Sequence, residues 1–239
     1  MTVLTDTSLC AIVRDEKMNP AGGVERFLRA HLSYVEEAKI LDTGSTDGTR
    51  ELLEQMEKEF DHLKVYDTRF TGYAEARNVS LAKVKTKWAL VLDADELLLP
   101  AVVDDVEEIK NQADVSPVGF NFFMRDVEVT GPGIAGRNLH NPRIFSTQEG
   151  FAYRNDSGLA REWLYTSRGQ RVADLPSIAG IRRLCPLLHF LPSDSAQILK
   201  YDKWYSSLKG GRVFARGPAK SSGFKKWKKL NPHRANYPG

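Results

Sequence analysis

Apolar and polar positions along the first hundred residues repeat with two different periods. SLCAIVR (8–14) is a short apolar run, and GVERFLRAHLSYVEEA (23–38) places Val24, Phe27, Leu28, His31, Leu32 and Val35 at helical spacing. KILDT then reads as a second strand, and TRELLEQMEKEF puts Leu52, Leu53, Met56 and Phe60 on one helical face. LKVYDT (63–68) is a third strand, YAEARNVSLAKV (73–84) a third helix, and WALVLD (88–93) a fourth strand. Pro100 opens a fourth helix, AVVDDVEEIKNQ, at the one helical position where proline is well tolerated. Strands alternating with helices predict right-handed βαβ units, hence a mostly parallel central sheet flanked by helices. After residue 117 the period changes. VGFNFFMRDVEV and HNPRIFST read as longer strands of a mixed or antiparallel second half; 150–190 is irregular, and SDSAQILKYDKWYSSL returns to helix. The expected organisation is one α/β domain over 1–208 and a basic tail over 209–239.

Composition narrows the class. A chain with 41% hydrophobic and 27% charged residues matches an ordinary globular domain, and 239 residues suffice for one sizeable core. The most apolar region, WALVLDADELLLPAVV, is broken by Asp93, Asp95 and Glu96, so no run approaches the roughly 18 to 20 residues of a membrane-spanning helix. MTVLTDTSLCAIVRDE does not read as a signal peptide, and with only Cys10 and Cys185 a disulfide framework is not expected. A cytoplasmic location is the expectation.

Charge is unevenly spread. Lys200 to Gly239 holds eleven Lys/Arg against one acid (Asp202), which leaves 23 basic and 30 acidic residues for the rest of the chain. The aromatic, Lys-rich FKKWKKL suits an anionic membrane surface or a phosphate-bearing partner, since Phe224, Trp227 and Leu230 recur every three residues. Peripheral membrane contact is therefore expected of the tail. It carries no base-reading motif, so no sequence-specific nucleic-acid role is read from it.

The chemistry gathers at strand ends, where open α/β sheets bind ligands. The first strand runs into Arg14, Asp15 and Glu16, the second into Asp42 and the turn Gly44 to Gly48. The third leads to Phe70, Thr71 and Gly72, and the fourth to Asp93, Ala94, Asp95 and Glu96. LDTGST has the letters of an aspartic-protease turn, but that chemistry needs a second carboxylate from a second such motif or a small β-rich homodimer. No second Asp-Thr-Gly occurs, and a helix follows. Ser45, Thr46 or Asp47 can cap that helix, which leaves Asp42 free to accept hydrogen bonds from a base or a ribose. In LVLDADE, two aspartates one residue apart end an apolar strand. At a strand end they can diverge, one toward a hard divalent cation and the other toward ribose or a neighbouring cation.

Taken together and in this order, AIVRDE, LDTGSTDGT, FTGYAEARN and LVLDADELLLP resemble the family 2 glycosyltransferases of GT-A fold, and within them the lipopolysaccharide-core glucosyltransferase branch. The resemblance is close over 8–100, fainter to about 208 and absent from the tail. It implies metal-dependent, inverting transfer from a nucleotide sugar, with UDP-glucose as the default donor, to a hydroxyl on a glycan, glycolipid or protein. Residue by residue, it implies that Asp42 binds the base, with Val13, Arg14 and Asp15 lining the same pocket and Gly44 in the adjoining turn. Arg77 and Asn78 would support the helix beside the diphosphate. Asp93 would face ribose or sugar across Ala94, and Asp95 with His189 would hold Mn²⁺ or Mg²⁺. Relatives carry a His-Glu pair after an Arg-Ile-Phe strand. Here Arg143-Ile144-Phe145 is followed by Arg161-Glu162, so Glu162 is the preferred base, with Asp156 and Asp126 as rivals. Two other readings remain: a non-catalytic nucleotide-sugar-binding module on the same fold, and a sugar-nucleotide pyrophosphorylase. The latter normally needs a basic, glycine-rich loop directly after the first strand, which VRDEKMNPAGG does not provide.

Overall fold

The computed structural model describes residues 2–17, 23–112, 117–128, 137–138, 141–155, 162–181 and 187–191. Residues Met1–Leu191 form one compact unit. The expected helix over 193–208 and the boundary at 208/209 lie outside the described residues.

The first half follows the βα alternation. It runs β1 (Leu4–Val13), α1 (Gly23–His31), β2 (Val35–Asp42), α2 (Thr49–Glu59), β3 (Leu63–Asp67), α3 (Tyr73–Leu81) and β4 (Trp88–Val91). β5 (Glu96–Leu98) and α4 (Pro100–Asn111) come next. The second half contains β6 (Gly119–Glu128), β7 (Arg137–Asn138), β8 (Ile144–Ser146), β9 (Ala152–Asn155), β10 (Glu162–Tyr165), β11 (Ile178–Ile181) and β12 (Leu187–Leu191).

The main sheet has the order β3-β2-β1-β4-β8-β6-β12-β5. β3, β2, β1 and β4 are all parallel, as right-handed crossovers through covering helices require. β8 then enters antiparallel to both β4 and β6, and β12 lies parallel to β6 but antiparallel to β5. The expected mixed second half is therefore real, and it is continuous with the parallel half rather than separate from it. β9 and β10 form their own antiparallel ribbon.

Two expectations need correction. The stretch 150–190, read as irregular, carries β9, β10 and β11 and the start of β12. The helix read over 23–38 stops at His31, a 3₁₀ turn covers Leu32–Tyr34, and β2 begins at Val35. The residue that ends it is His31, fully buried. Its Nδ1 donates to the Phe27 carbonyl (2.6 Å), and its Nε2 accepts from the Leu98 amide (3.1 Å). Two bonds of opposite sense fix one neutral tautomer, and burial moves the imidazole pKa down to about 4. Residues that continue the helical spacing, such as Val35, are instead drawn into pairing beside β1, starting with Leu4 opposite Val35. Apolar spacing cannot separate these outcomes because a buried parallel strand is apolar on both faces.

The core lies between this sheet and its helices. α1 contributes Val24, Phe27 and Leu28, α2 Leu53 and Met56, and α4 Val102, Val103 and Val106. On the other face, Cys10, Ala89, Val91 and Phe145 pack with Ala74, Tyr153, Leu164 and Val172, joining the β9–β10 ribbon to the sheet. That second cluster carries Glu162 toward the ends of β1 and β4.

Candidate functional site

The parallel strands end in register, with Val13 opposite Asp42, Asp42 opposite Asp67, and Cys10 opposite Val91. Asp42 is 2% exposed. Its Oδ1 accepts from the amides of Gly44 (2.7 Å) and Ser45 (2.8 Å), while Oδ2 is buried with no protein partner. One oxygen thus closes the turn and the other remains available. Gly44, at φ +103°, takes the left-handed conformation that this closure needs. The Val13 carbonyl accepts from both the amide and the hydroxyl of Thr43 (3.0 Å each), pinning the β1 end to the turn. Asp15 sits at φ +52° and accepts from the Thr46 amide (2.6 Å), and Arg14 reaches the Thr43 carbonyl (3.4 Å). Asp47 supplies the start of α2, accepting from the amide (2.9 Å) and hydroxyl of Thr49. The N-cap position itself is Gly48, which has no side chain to cap with, so Asp47 supports the helix start from one residue earlier.

Asp93 and Asp95 part as expected. β4 ends at Val91, and a turn closed by the Glu96 amide on the Asp93 carbonyl (2.9 Å) sends the two carboxylates apart around the buried Ala94. Asp93 meets two arginines: Arg77 Nη2 at 2.5 Å and Arg143 Nη2 at 3.4 Å. Arg77 Nε also donates to Glu162 Oε1 (2.8 Å), and Arg143 bonds Glu96. Acids and bases therefore alternate in one series, buried at Arg77 and Glu96 and open to solvent at Asp93: Glu162, Arg77, Asp93, Arg143, Glu96. Burial would raise the Asp93 pKa, but Arg77 and then Arg143 outweigh it and hold the carboxyl well below the usual range. Burial would likewise discharge Arg77, but Asp93 and Glu162 keep it firmly protonated. Glu96 goes the other way. Burial, helped by the charges of Asp93 and Asp95 and opposed by Arg143, pushes it up to about 7.

These contacts sharpen the readings of Arg77 and Asn78. With 4% of its side chain exposed, Arg77 is no surface ion pair. It joins the LDADE turn to β10 in the middle of α3. Asn78 spends both ends of its amide on Tyr153, donating to the carbonyl and accepting from the amide (2.8 Å each). It fastens β9 to α3 instead of offering that amide to a ligand. Asn141 does the same for β10, donating to the Glu162 carbonyl (2.9 Å) and accepting from the Leu164 amide (3.0 Å). Among the described residues, Glu162 hydrogen-bonds through its carboxylate only to Arg77. Asp126 stands opposite His189 in register; its side chain, Asp156 and Arg161 lie outside the described residues.

Asp95 and His189 come together, with His189 Nε2 at 3.6 Å from Asp95 Oδ2. The other Asp95 oxygen is buried without a protein partner. Such a carboxylate beside an imidazole fits a hard divalent ion, which takes one or two carboxylates and completes its shell with substrate phosphate oxygens. Among the described residues no cluster of three or more His, Cys, Asp or Glu side chains is built to hold an ion.

Sequence reading missed Arg143, Glu96 and Asn141 as site residues. Glu96 carried a signal, as a third acid in the same apolar-flanked turn. Arg143 had only its place ahead of Ile144 and Phe145, and nothing local ties it to Glu96, 47 residues earlier.

The model of the family described as Glycosyl transferase family 2 matches residues 23–163. The chain is 34% identical over 111 residues to a TPR repeat-containing protein of Synechococcus elongatus, across 46% of this chain and 25% of that protein. It is 31% identical over 83 residues to the teichoic acid poly(glycerol phosphate) polymerase of Staphylococcus epidermidis, across 33% and 12%. It therefore spans a quarter or less of these curated relatives. Crystal structures of S. aureus TarS 1-349 superpose with TM-scores of 0.54 and, in complex with UDP-GlcNAc, 0.56. Each superposition covers 94% of this chain and 72% of TarS 1-349, at 14% and 12% identity. At that identity the likeness is one of fold.

Proposed function

The chain belongs to glycosyl transferase family 2 and has the GT-A α/β fold, and on that premise we propose that it is an inverting hexosyltransferase. The donor is a UDP-sugar, by default UDP-glucose, and the acceptor is a hydroxyl of a glycan, glycolipid or protein. The TarS complex with UDP-GlcNAc supports uridine as the base, and both the lipopolysaccharide-core resemblance and the teichoic-acid relative favour a surface polymer. Transfer takes place on the cytoplasmic side, with the basic tail against an anionic leaflet. Asp42 Oδ2, with Val13, Arg14, Asp15 and Gly44 around it, receives the base. Asp93, held by two arginines, faces the ribose or sugar.

Glu162 removes the acceptor proton as the hydroxyl oxygen attacks the anomeric carbon from the face opposite the nucleotide, and the carbon–oxygen bond to the diphosphate breaks. Arg77 aims Glu162 by holding Oε1. No general acid is needed, because the leaving group is a nucleoside diphosphate. Asp95 and His189 hold Mn²⁺ or Mg²⁺, which when bound supplies Lewis-acid neutralisation of the departing phosphate charge. Glu162, Asp95 and His189 together favour an enzyme over a silent binding module.

One observation carries this reading: a single buried guanidinium, Arg77, binds the candidate base and the donor-side Asp93 at once. Replacing Glu162 with Gln tests it. Affinity for UDP, measured calorimetrically with Mn²⁺, is expected to stay within about twofold while sugar transfer falls by roughly 10²- to 10⁴-fold. Transfer at the wild-type rate would assign the base elsewhere.

A further inference from the structure

The two buried arginines of the site are each held by two carboxylates, whereas among the described residues Arg26 is held by none. It lies on α1, whose inner face is formed by Val24, Phe27, Leu28 and His31. Its guanidinium carbon sits 4.1 Å over the centre of the Phe190 ring. Nε, Nη1 and Nη2 are all shielded, and none has a hydrogen-bond partner among the described residues. Burial weakens its hold on the proton, and the Asp95 carboxylate works in the opposite direction. Phe190 is tied to the same turn, its amide donating to the Asp95 carbonyl (2.8 Å). Asp95 Oδ1 is also buried and unpartnered, and no hydrogen bond joins the two side chains.

A shielded guanidinium without acceptors is costly, because buried donors left unbonded carry the full penalty of losing water. A neighbouring carboxylate with a spare oxygen is costly for the same reason. The simplest remedy, a direct ion pair, is not made. A ligand that satisfies both must bring a cation for Asp95 and several anionic oxygens for Arg26. A metal–diphosphate has that composition. The planar fork also matches phosphate geometry in a way a lysine ammonium does not, and stacking on Phe190 fixes its plane.

We propose that Arg26 is a diphosphate-binding residue of the donor site, taking phosphate oxygens beside the cation held by Asp95 and His189. This rests on the nucleotide-sugar reading above. On donor cleavage, the charge that develops on the departing diphosphate falls between a fixed guanidinium and the ion, and Arg26 gives up no proton.

Isothermal titration of the full chain with inorganic pyrophosphate, UDP, uridine and Mn²⁺ alone provides the test. Arg26→Gln is expected to weaken pyrophosphate and UDP, each with Mn²⁺, by roughly 10- to 100-fold. Mn²⁺ alone and uridine are expected to shift by less than about twofold. Arg26→Lys, which keeps the charge and loses the fork, should recover part of the loss and also serves if the Gln variant does not fold. Unchanged pyrophosphate affinity in both variants, or an equal loss for Mn²⁺ alone, would overturn the assignment. Wild-type protein that binds pyrophosphate but not UDP counts against the uridine donor and leaves Arg26 to be judged on pyrophosphate. Binding of neither overturns both.

Discussion

Replacing Arg77 with Met removes a cation between two carboxylates while keeping the length and most of the volume of the side chain. The guanidinium is 4% exposed, Glu162 15% and Asp93 39%. Breaking a buried pair by removing one partner costs about 3–5 kcal/mol, because the charge left behind has no compensation. Water screens Asp93 in part, and Arg143 remains at 3.4 Å, so the lower end, about 3 kcal/mol, is expected. For a domain of this size that is roughly 6–12 °C in melting temperature. The pH dependence gives a sharper signature. The folded pKa of Asp93 is depressed, so its contribution is fully present above the ordinary carboxylate range and fades as pH falls toward the folded value. Urea unfolding of both proteins at pH 7 and pH 3 should therefore show a smaller stability gap at pH 3 than at pH 7. A melting shift under about 2 °C, or a gap that widens in acid, would refute the charged series as the support of this site.

Asp95→Ala should lower metal-dependent sugar transfer by about 100-fold or more, as expected for a lost cation ligand; wild-type turnover across a Mn²⁺ titration would remove Asp95 from that role. His31 should make the wild-type protein acid-sensitive. Its folded pKa of about 4 lies below the ordinary 6.5, so stability is full above pH 6.5 and falls by about 3 kcal/mol on the way to pH 4. His31→Gln should be less stable at pH 7 yet show a flatter profile across that window, and an unchanged slope in denaturant titrations would assign the acid sensitivity to other groups.

The parallel half was legible because each of its strands is followed by a polar turn and an amphipathic helix, so pattern and topology agree. Asp42, Asp93 and Asp95 were legible for the same reason: they stand at strand ends. What was hidden depends on contacts across the second half. β5 is three residues long and earns its place only by pairing with β12. The end of α1 is set by a histidine bonding a strand far along the chain, not by a glycine or a proline. Arg143 and Glu96 meet only because β8 enters antiparallel beside β4, which no local period encodes. His189 was read from a resemblance, and its placement beside Asp95 follows from β12 lying next to β5.

The order in which these charges are synthesised has a consequence of its own. Asp95 and Glu96 leave the ribosome well before their partners: Arg143 follows 47 residues after Glu96, and His189 later still. A nascent chain that ends before β8 can wind its parallel strands and already holds Arg77 for Asp93, yet Glu96 in its LDADE turn has no arginine across from it. Completion of the charged series is thus deferred until the antiparallel strands arrive. A chain cut short before β8 is left with Glu96 buried beside Asp93 and Asp95 and without the arginine that faces it in the whole domain.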